Sequence, residues 1–129
     1  MMDKARILVI DDEQDLLDLL KLTLELEGYD IVTALNGEEG LAKFNEHNPD
    51  LIICDIIMPK VDGYEVLKQV KQKGKHWTPF IMLSAISDFD KMKRAHEGDI
   101  DFYLTKPVQT ASLIKNIKTL LNLAKHRIE

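Results

Sequence analysis

A chain of 129 residues, 45% hydrophobic and 30% charged, can bury one sizeable core and has the balance of a soluble globular protein. Its formal charge of -5 leaves no basic excess to neutralise phosphates, which argues against nucleic acid as a direct partner. The single cysteine excludes an internal disulfide and fits a reducing, cytoplasmic compartment, and no apolar run approaches the ~18 residues of a membrane span.

Short apolar runs alternate with amphipathic stretches along the whole chain. The first run, RILVI (Arg6–Ile10), is rich in branched residues, reads as a strand and closes on Asp11, Asp12 and Glu13. Leu16, Leu17, Leu20 and Leu24 form one stripe, which predicts a helix over 15–27 that Gly28 stops. Leu22 lies opposite that stripe with Leu19 and Leu26 flanking it. This second apolar face either docks a partner helix or packs in part against the last helix. DIVTA (Asp30–Ala34) is the second strand, and a helix over 38–47 carries Leu41, Ala42 and Phe44 before Pro49. LIIC (Leu51–Cys54) is the third strand, with Asp55 at its end. Asp62 is positioned to cap a helix over 63–73 that turns Val66, Leu67 and Val70 inward. FIML (Phe80–Leu83) is the fourth strand. A helix capped by Ser87 or Asp88 then runs to 97, with Phe89, Met92 and Ala95 in register. FYLT (Phe102–Thr105) is the fifth strand, and 109–126 places Leu113, Ile117, Leu120, Leu121 and Ala124 at helical spacing.

The strand runs lack period-2 alternation, as expected of strands buried on both faces of a parallel sheet. Five strand–helix units give an α/β fold: a (βα)5 doubly wound, flavodoxin-like sheet of order 2-1-3-4-5, with residues 1–129 forming one domain. Such sheets bind ligands beyond the carboxyl ends of the strands, where the order reverses between strands 1 and 3. Asp11, Asp12 and Asp55 converge at that point. Three carboxylates so close repel one another unless a cation or a shared proton relieves them, and hard oxygen ligands of this kind suit magnesium or manganese.

Strand 4 brings the Ser84 hydroxyl to the same edge, and strand 5 brings Lys106. Singly, each piece has an ordinary alternative. Twin acids after a strand suit a helix start, a serine suits a turn, and lysines before prolines are common on surfaces. A carboxylate set into an apolar run is costlier to explain away. Together, a nucleophilic carboxylate, a cation site, a hydroxyl and an ammonium match the demands of phosphoryl transfer, with Asp55 as the covalent acceptor.

The stretches ILVIDDE, PDLIICDIIMPKVDG, TPFIMLSA and FYLTKP, in that order and spacing, resemble the receiver domain of two-component response regulators. The resemblance implies a CheY-like fold, phosphorylated on Asp55 by a phosphohistidine of a sensor kinase or phosphotransfer protein. It implies that Asp12 and Asp55 ligate magnesium directly, that Asp11 acts mostly through water, and that the backbone carbonyl of Ile57 completes the protein ligands. Lys106 and Ser84 would each hold a phosphoryl oxygen. Tyr103 falls at the switch aromatic, which moves with Ser84 and alters the surface of the helix over 87–97, the fifth strand and the helix over 109–126 read by an output domain or downstream protein. Such a protein catalyses only its own phosphorylation and dephosphorylation. It acts as a monomer or as a phosphorylation-dependent dimer. Ile57 and Ile86 fall at positions flanking the phosphoryl group, where two bulky aliphatics are expected to slow dephosphorylation. The chain departs from the family at Asp99 and Ile100, where Gly-Ala is usual, and in VQTASL after Pro107, which lacks the Phe and Glu-Leu common in winged-helix regulators.

A flavodoxin-like binding module needs small residues and free N–H groups after strand 1, and DDE would repel its anion. A phosphohydrolase of the haloacid dehalogenase type wants a second acid where Ile57 stands. A degenerate receiver, binding partners without phosphorylation, is the remaining alternative. Cys54 reads as a buried strand residue, Met58-Pro59 as a loop-shaping pair, Trp77 as a partly covered surface aromatic, and the four histidines lack metal-ligand spacing.

Overall fold

The computed structural model describes residues 4–73, 77–85 and 100–127. Within them lie strands β1 (Arg6–Ile10), β2 (Asp30–Ala34), β3 (Leu51–Asp55), β4 (Phe80–Ser84) and β5 (Phe102–Thr105), and helices α1 (Gln14–Leu26), α2 (Gly37–His47), α3 (Gly63–Gln72) and α4 (Thr110–Arg127). The helix expected over 87–97, with Phe89, Met92 and Ala95, lies outside the described residues, as do Ile86 and Asp99.

All strand pairs are parallel, and the sheet order is β2-β1-β3-β4-β5, as the sequence pattern predicts. Alternate side chains of each strand enter different cores. Ile7, Val9, Leu51, Ile53, Ile81 and Leu83 pack with Leu17, Leu20 and Leu24 of α1 and Leu113, Ile117 and Leu120 of α4. Leu8, Ile10, Ile52, Cys54, Phe80 and Met82 pack with Phe44 of α2 and Val66, Leu67 and Val70 of α3. A strand with a core on each side has no polar face, which is why no alternation is visible in its sequence. Fully burying one such aliphatic contributes roughly 1.5–3 kcal/mol.

Local signals set most of the boundaries. Gly28, at φ +96, ends α1, with its N–H on the Glu25 carbonyl and that of Tyr29 on the Leu24 carbonyl. That is the paired hydrogen-bond pattern by which a left-handed residue closes a helix. Asn36 caps α2 through the N–H of Glu39, and Asp62 caps α3 through that of Glu65, at 2.8 Å and 2.9 Å. On α2 the inward face differs from the expectation: Ala42 is exposed. Gly40 takes the buried position instead, because a Cβ there would come within 2.5 Å of Ile10 Cδ1.

Candidate functional site

Parallel register builds the site from the strand ends. Ile10 pairs with Cys54, so the next residue on each strand, Asp11 and Asp55, leave the sheet side by side. Asp55 pairs with Leu83, and Ser84 pairs with Thr105, so Ser84 and Lys106 follow at the same edge. Backbone hydrogen bonds fix these ends: Asp11 N–H to the Ala34 carbonyl at 3.0 Å, and Lys106 N–H to the Ser84 carbonyl at 2.8 Å. The first turn of α3 abuts the end of β3. Gly63 donates to the Ile56 carbonyl at 2.8 Å, and a Cβ on it would stand 2.5 Å from the Asp55 carbonyl oxygen. Sequence reading missed this requirement. Its only trace is a glycine directly after a capping aspartate.

Asp11, Asp12 and Asp55 each offer an oxygen within 4.8 Å of the others, as the sequence predicts. Their environments differ: Asp11 is 0% exposed and Asp55 6%, whereas Asp12 is open to solvent. Lys106 Nζ sits among the acids, 2.9 Å from Asp11 Oδ2, 3.0 Å from Glu13 Oε1 and 3.3 Å from Asp55 Oδ2. The Asp11 contact is ionic but off the hydrogen-bonding direction, so Asp11 Oδ2 has no aligned donor among the described residues. Asp11 Oδ1 accepts from the N–H of Glu13 at 2.9 Å.

One ammonium against four carboxylates leaves the cluster electrostatically unbalanced. Burial, and then the Asp11 charge, push Asp55 up to about 6, with Lys106 opposing them. Burial also raises Asp11, opposed first by the Glu13 N–H and then by Lys106. Burial works to lower Lys106, but its contacts with Asp11, Glu13 and Asp55 prevail and raise it. A buried carboxylate oxygen without an aligned donor, beside two further carboxylates, fits a divalent cation with oxygen coordination.

The remaining candidates are placed as follows. Ser84 is buried, and its hydroxyl donates to the Ala85 carbonyl at 2.8 Å. Ile57 is exposed just beyond Asp55, whereas Met58 is buried. Tyr103 is partly buried against the α2–α3 core. Cys54 is fully buried, its thiol donating to the Asp55 carbonyl at 3.3 Å, and burial raises its pKa well above the usual thiol range. Leu19, Leu22 and Leu26 of α1 are exposed, so the described part of α4 does not cover Leu22. Glu13 is the contact that sequence reasoning missed: its link to Lys106 spans 93 residues. An open groove of about 1200 Å³ lies far from this chemistry, at the opposite edge of the sheet, lined by Arg6, Tyr29, Asp30 and Lys118 among others.

The family model "Response regulator receiver domain" matches residues 7–118. The alkaline phosphatase synthesis transcriptional regulatory protein PhoP of Bacillus subtilis is 43% identical over 117 residues, covering 90% of this chain and 48% of that protein. The chain spans about half the length of the curated relatives it matches. A crystal structure of a response regulator receiver domain protein from Clostridium thermocellum superposes with a TM-score of 0.87 at 36% identity, covering 94% of this chain and 97% of that one. The response regulator TrrA of Thermotoga maritima, in complex with Mg(2+)-BeF, superposes with a TM-score of 0.81 at 40% identity, covering 90% and 98%.

Proposed function

This chain belongs to the response regulator receiver domain family, and from that premise we propose that it is the phosphoacceptor of a two-component phosphorelay, with Asp55 as the residue phosphorylated. The observation that carries the reading is the position of Asp55: a buried carboxylate beside two other acids and 3.3 Å from an ammonium. Burial strips Asp55 of water, and Lys106, 3.3 Å away, would hold one oxygen of an incoming phosphoryl group and its developing charge. Ser84, one strand over, would turn its hydroxyl from the Ala85 carbonyl toward another oxygen. Tyr103, two residues before Thr105 on β5, would repack with it, so that charge at Asp55 biases a two-state surface. Ile57, exposed at the mouth, would hinder the water that hydrolyses the product.

Magnesium supplies neutralising charge and in-line orientation when bound. Asp12, Asp55, the Ile57 carbonyl and, through water, Asp11 would hold it. The phosphodonor would be a phosphohistidine protein, and the reader an output domain or downstream partner. The chain would catalyse only its own phosphorylation and dephosphorylation. The exposed leucines of α1 support a docking face, and Leu22→Glu should slow transfer from the donor protein without lowering thermal stability.

The test is intact mass after incubation with magnesium and a small phosphodonor. One phosphoryl group should be gained by the wild type, none by Asp55→Asn, and none once the metal is chelated. A wild type unchanged by several donors would turn the reading toward a receiver that binds partners unmodified.

A further inference from the structure

Glu13 is the N-cap residue of α1, yet its side chain accepts no hydrogen bond from the first turn of that helix. Its carboxylate instead crosses the sheet edge to Lys106, with 3.0 Å between Oε1 and Nζ. The other carboxylates on that ammonium, Asp11 and Asp55, are buried, whereas the Glu13 side chain is 61% exposed. Of the three, Glu13 alone can swing into water without opening the core. A phosphoryl group arriving at Asp55 is an anion. It requires the ammonium that Glu13 holds, and it is repelled by the Glu13 carboxylate itself.

We propose that Glu13 is a positioning residue that occupies Lys106 in the unphosphorylated protein and must release it before a phosphoryl anion is taken up, so that its charge sets a threshold on phosphorylation. The proposal rests on the reading of Asp55 as the acceptor. With acetyl phosphate as donor, an Asp55 carboxylate oxygen forms the new bond to phosphorus with its own lone pair. The bond from phosphorus to the acetate oxygen breaks, and acetate leaves with that electron pair, so no further reactant is needed. Lys106 exchanges Glu13 for a phosphoryl oxygen in the course of this step. The freed carboxylate remains at the first turn of α1, where unpaired N–H groups and the helix dipole favour an anion.

An exposed carboxylate is screened by solvent and salt, so its effect is modest and depends on ionic strength. The experiment measures the rate of phosphorylation of the purified chain by acetyl phosphate with magnesium, by intact mass, across a salt series. Glu13→Gln should raise the rate about 3–10-fold at low salt, with the gain shrinking as salt rises. Glu13→Asp keeps the charge on a shorter arm and should fall between the two. In metal-free, unphosphorylated protein, the Lys106 Nζ nitrogen resonance should shift in Glu13→Gln, a readout that needs no phosphorylation. If the wild type is phosphorylated and Glu13→Gln reacts at the same rate, the threshold role is overturned and the acceptor reading stands. If the wild type gains no phosphoryl group from acetyl phosphate or from any other small phosphodonor, the acceptor reading fails and the Glu13 role falls with it.

Discussion

The two edges of the sheet use the same kinds of side chain to opposite ends. At the edge where the strands begin, Arg6 Nε lies 2.7 Å from Asp30 Oδ2, its Nη1 donates to the His47 carbonyl at 3.0 Å, and its backbone N–H donates to Asp50 Oδ2 at 2.7 Å. Asp30 and Asp50 each have a donor there, and the charged groups of the Arg6–Asp30 pair remain wetted. At the edge where the strands end, three carboxylates share one ammonium with Asp12 close by, and two of these four acids are buried. The first arrangement is a clasp that holds β1, β2 and the end of α2 together. The second is held short of neutrality by the fold, and an excess of buried negative charge is what a bound cation can relieve. Satisfied charges stabilise a fold; unsatisfied ones mark where it works.

The sharpest break in that contrast is chemical. Asp55→Asn should abolish the phosphoryl gain altogether, while Arg6→Met should leave it whole in the same mass assay.

The next is the pH dependence of stability in metal-free protein. Asp55 sits at about 6 in the folded state, above the carboxylate's ordinary 3.8, so the folded chain binds that proton more tightly than the unfolded one. Its contribution is therefore complete below about pH 4 and is lost as pH rises through about 6. Denaturant unfolding should show the wild type losing about 2–3 kcal/mol relative to Asp55→Asn between pH 4 and 7. Saturating magnesium should flatten that slope, because the cation holds the ionised form. Parallel curves for the two proteins would remove the electrostatic account of the site.

Lys106→Met takes away the ammonium that contacts Asp11, Glu13 and Asp55. Metal-free stability at pH 7 should fall by about 2 kcal/mol and recover toward pH 5 as the carboxylates take up protons. The smallest effect belongs to the other edge. Arg6→Met should cost about 1 kcal/mol, of which the exposed ion pair is less than half and the hydrogen bond to His47 the larger share, with little change between pH 5 and 8. A loss several times greater would mean that the clasp, and not only the cores, holds the sheet.

Much of this molecule is legible in its letters. Arg6–Ile10, Asp30–Ala34 and Phe102–Thr105 are strands over the residues their apolar runs predict. Asp62 and Gly28 cap and stop their helices as expected, because capping depends on residues within one turn. The sheet order, and with it the meeting of Asp11, Asp12 and Asp55, follows from handedness and connectivity that any βα alternation obeys.

What the sequence could not supply is how those groups share charge. That Asp11 is fully buried while its neighbour Asp12 is open, and that Glu13 leaves its helix for Lys106, 93 residues on, depend on burial and direction in space. The same holds for Gly63, whose missing Cβ admits the Asp55 carbonyl, and for Ser84, whose hydroxyl settles on Ala85. Periodicity and capping act over a few residues and leave a mark in the letters there. Coulomb energy and desolvation act between residues that only the closed sheet makes neighbours, so the elements and their order were written in the sequence, and the balance of charge at their ends was decided by the fold.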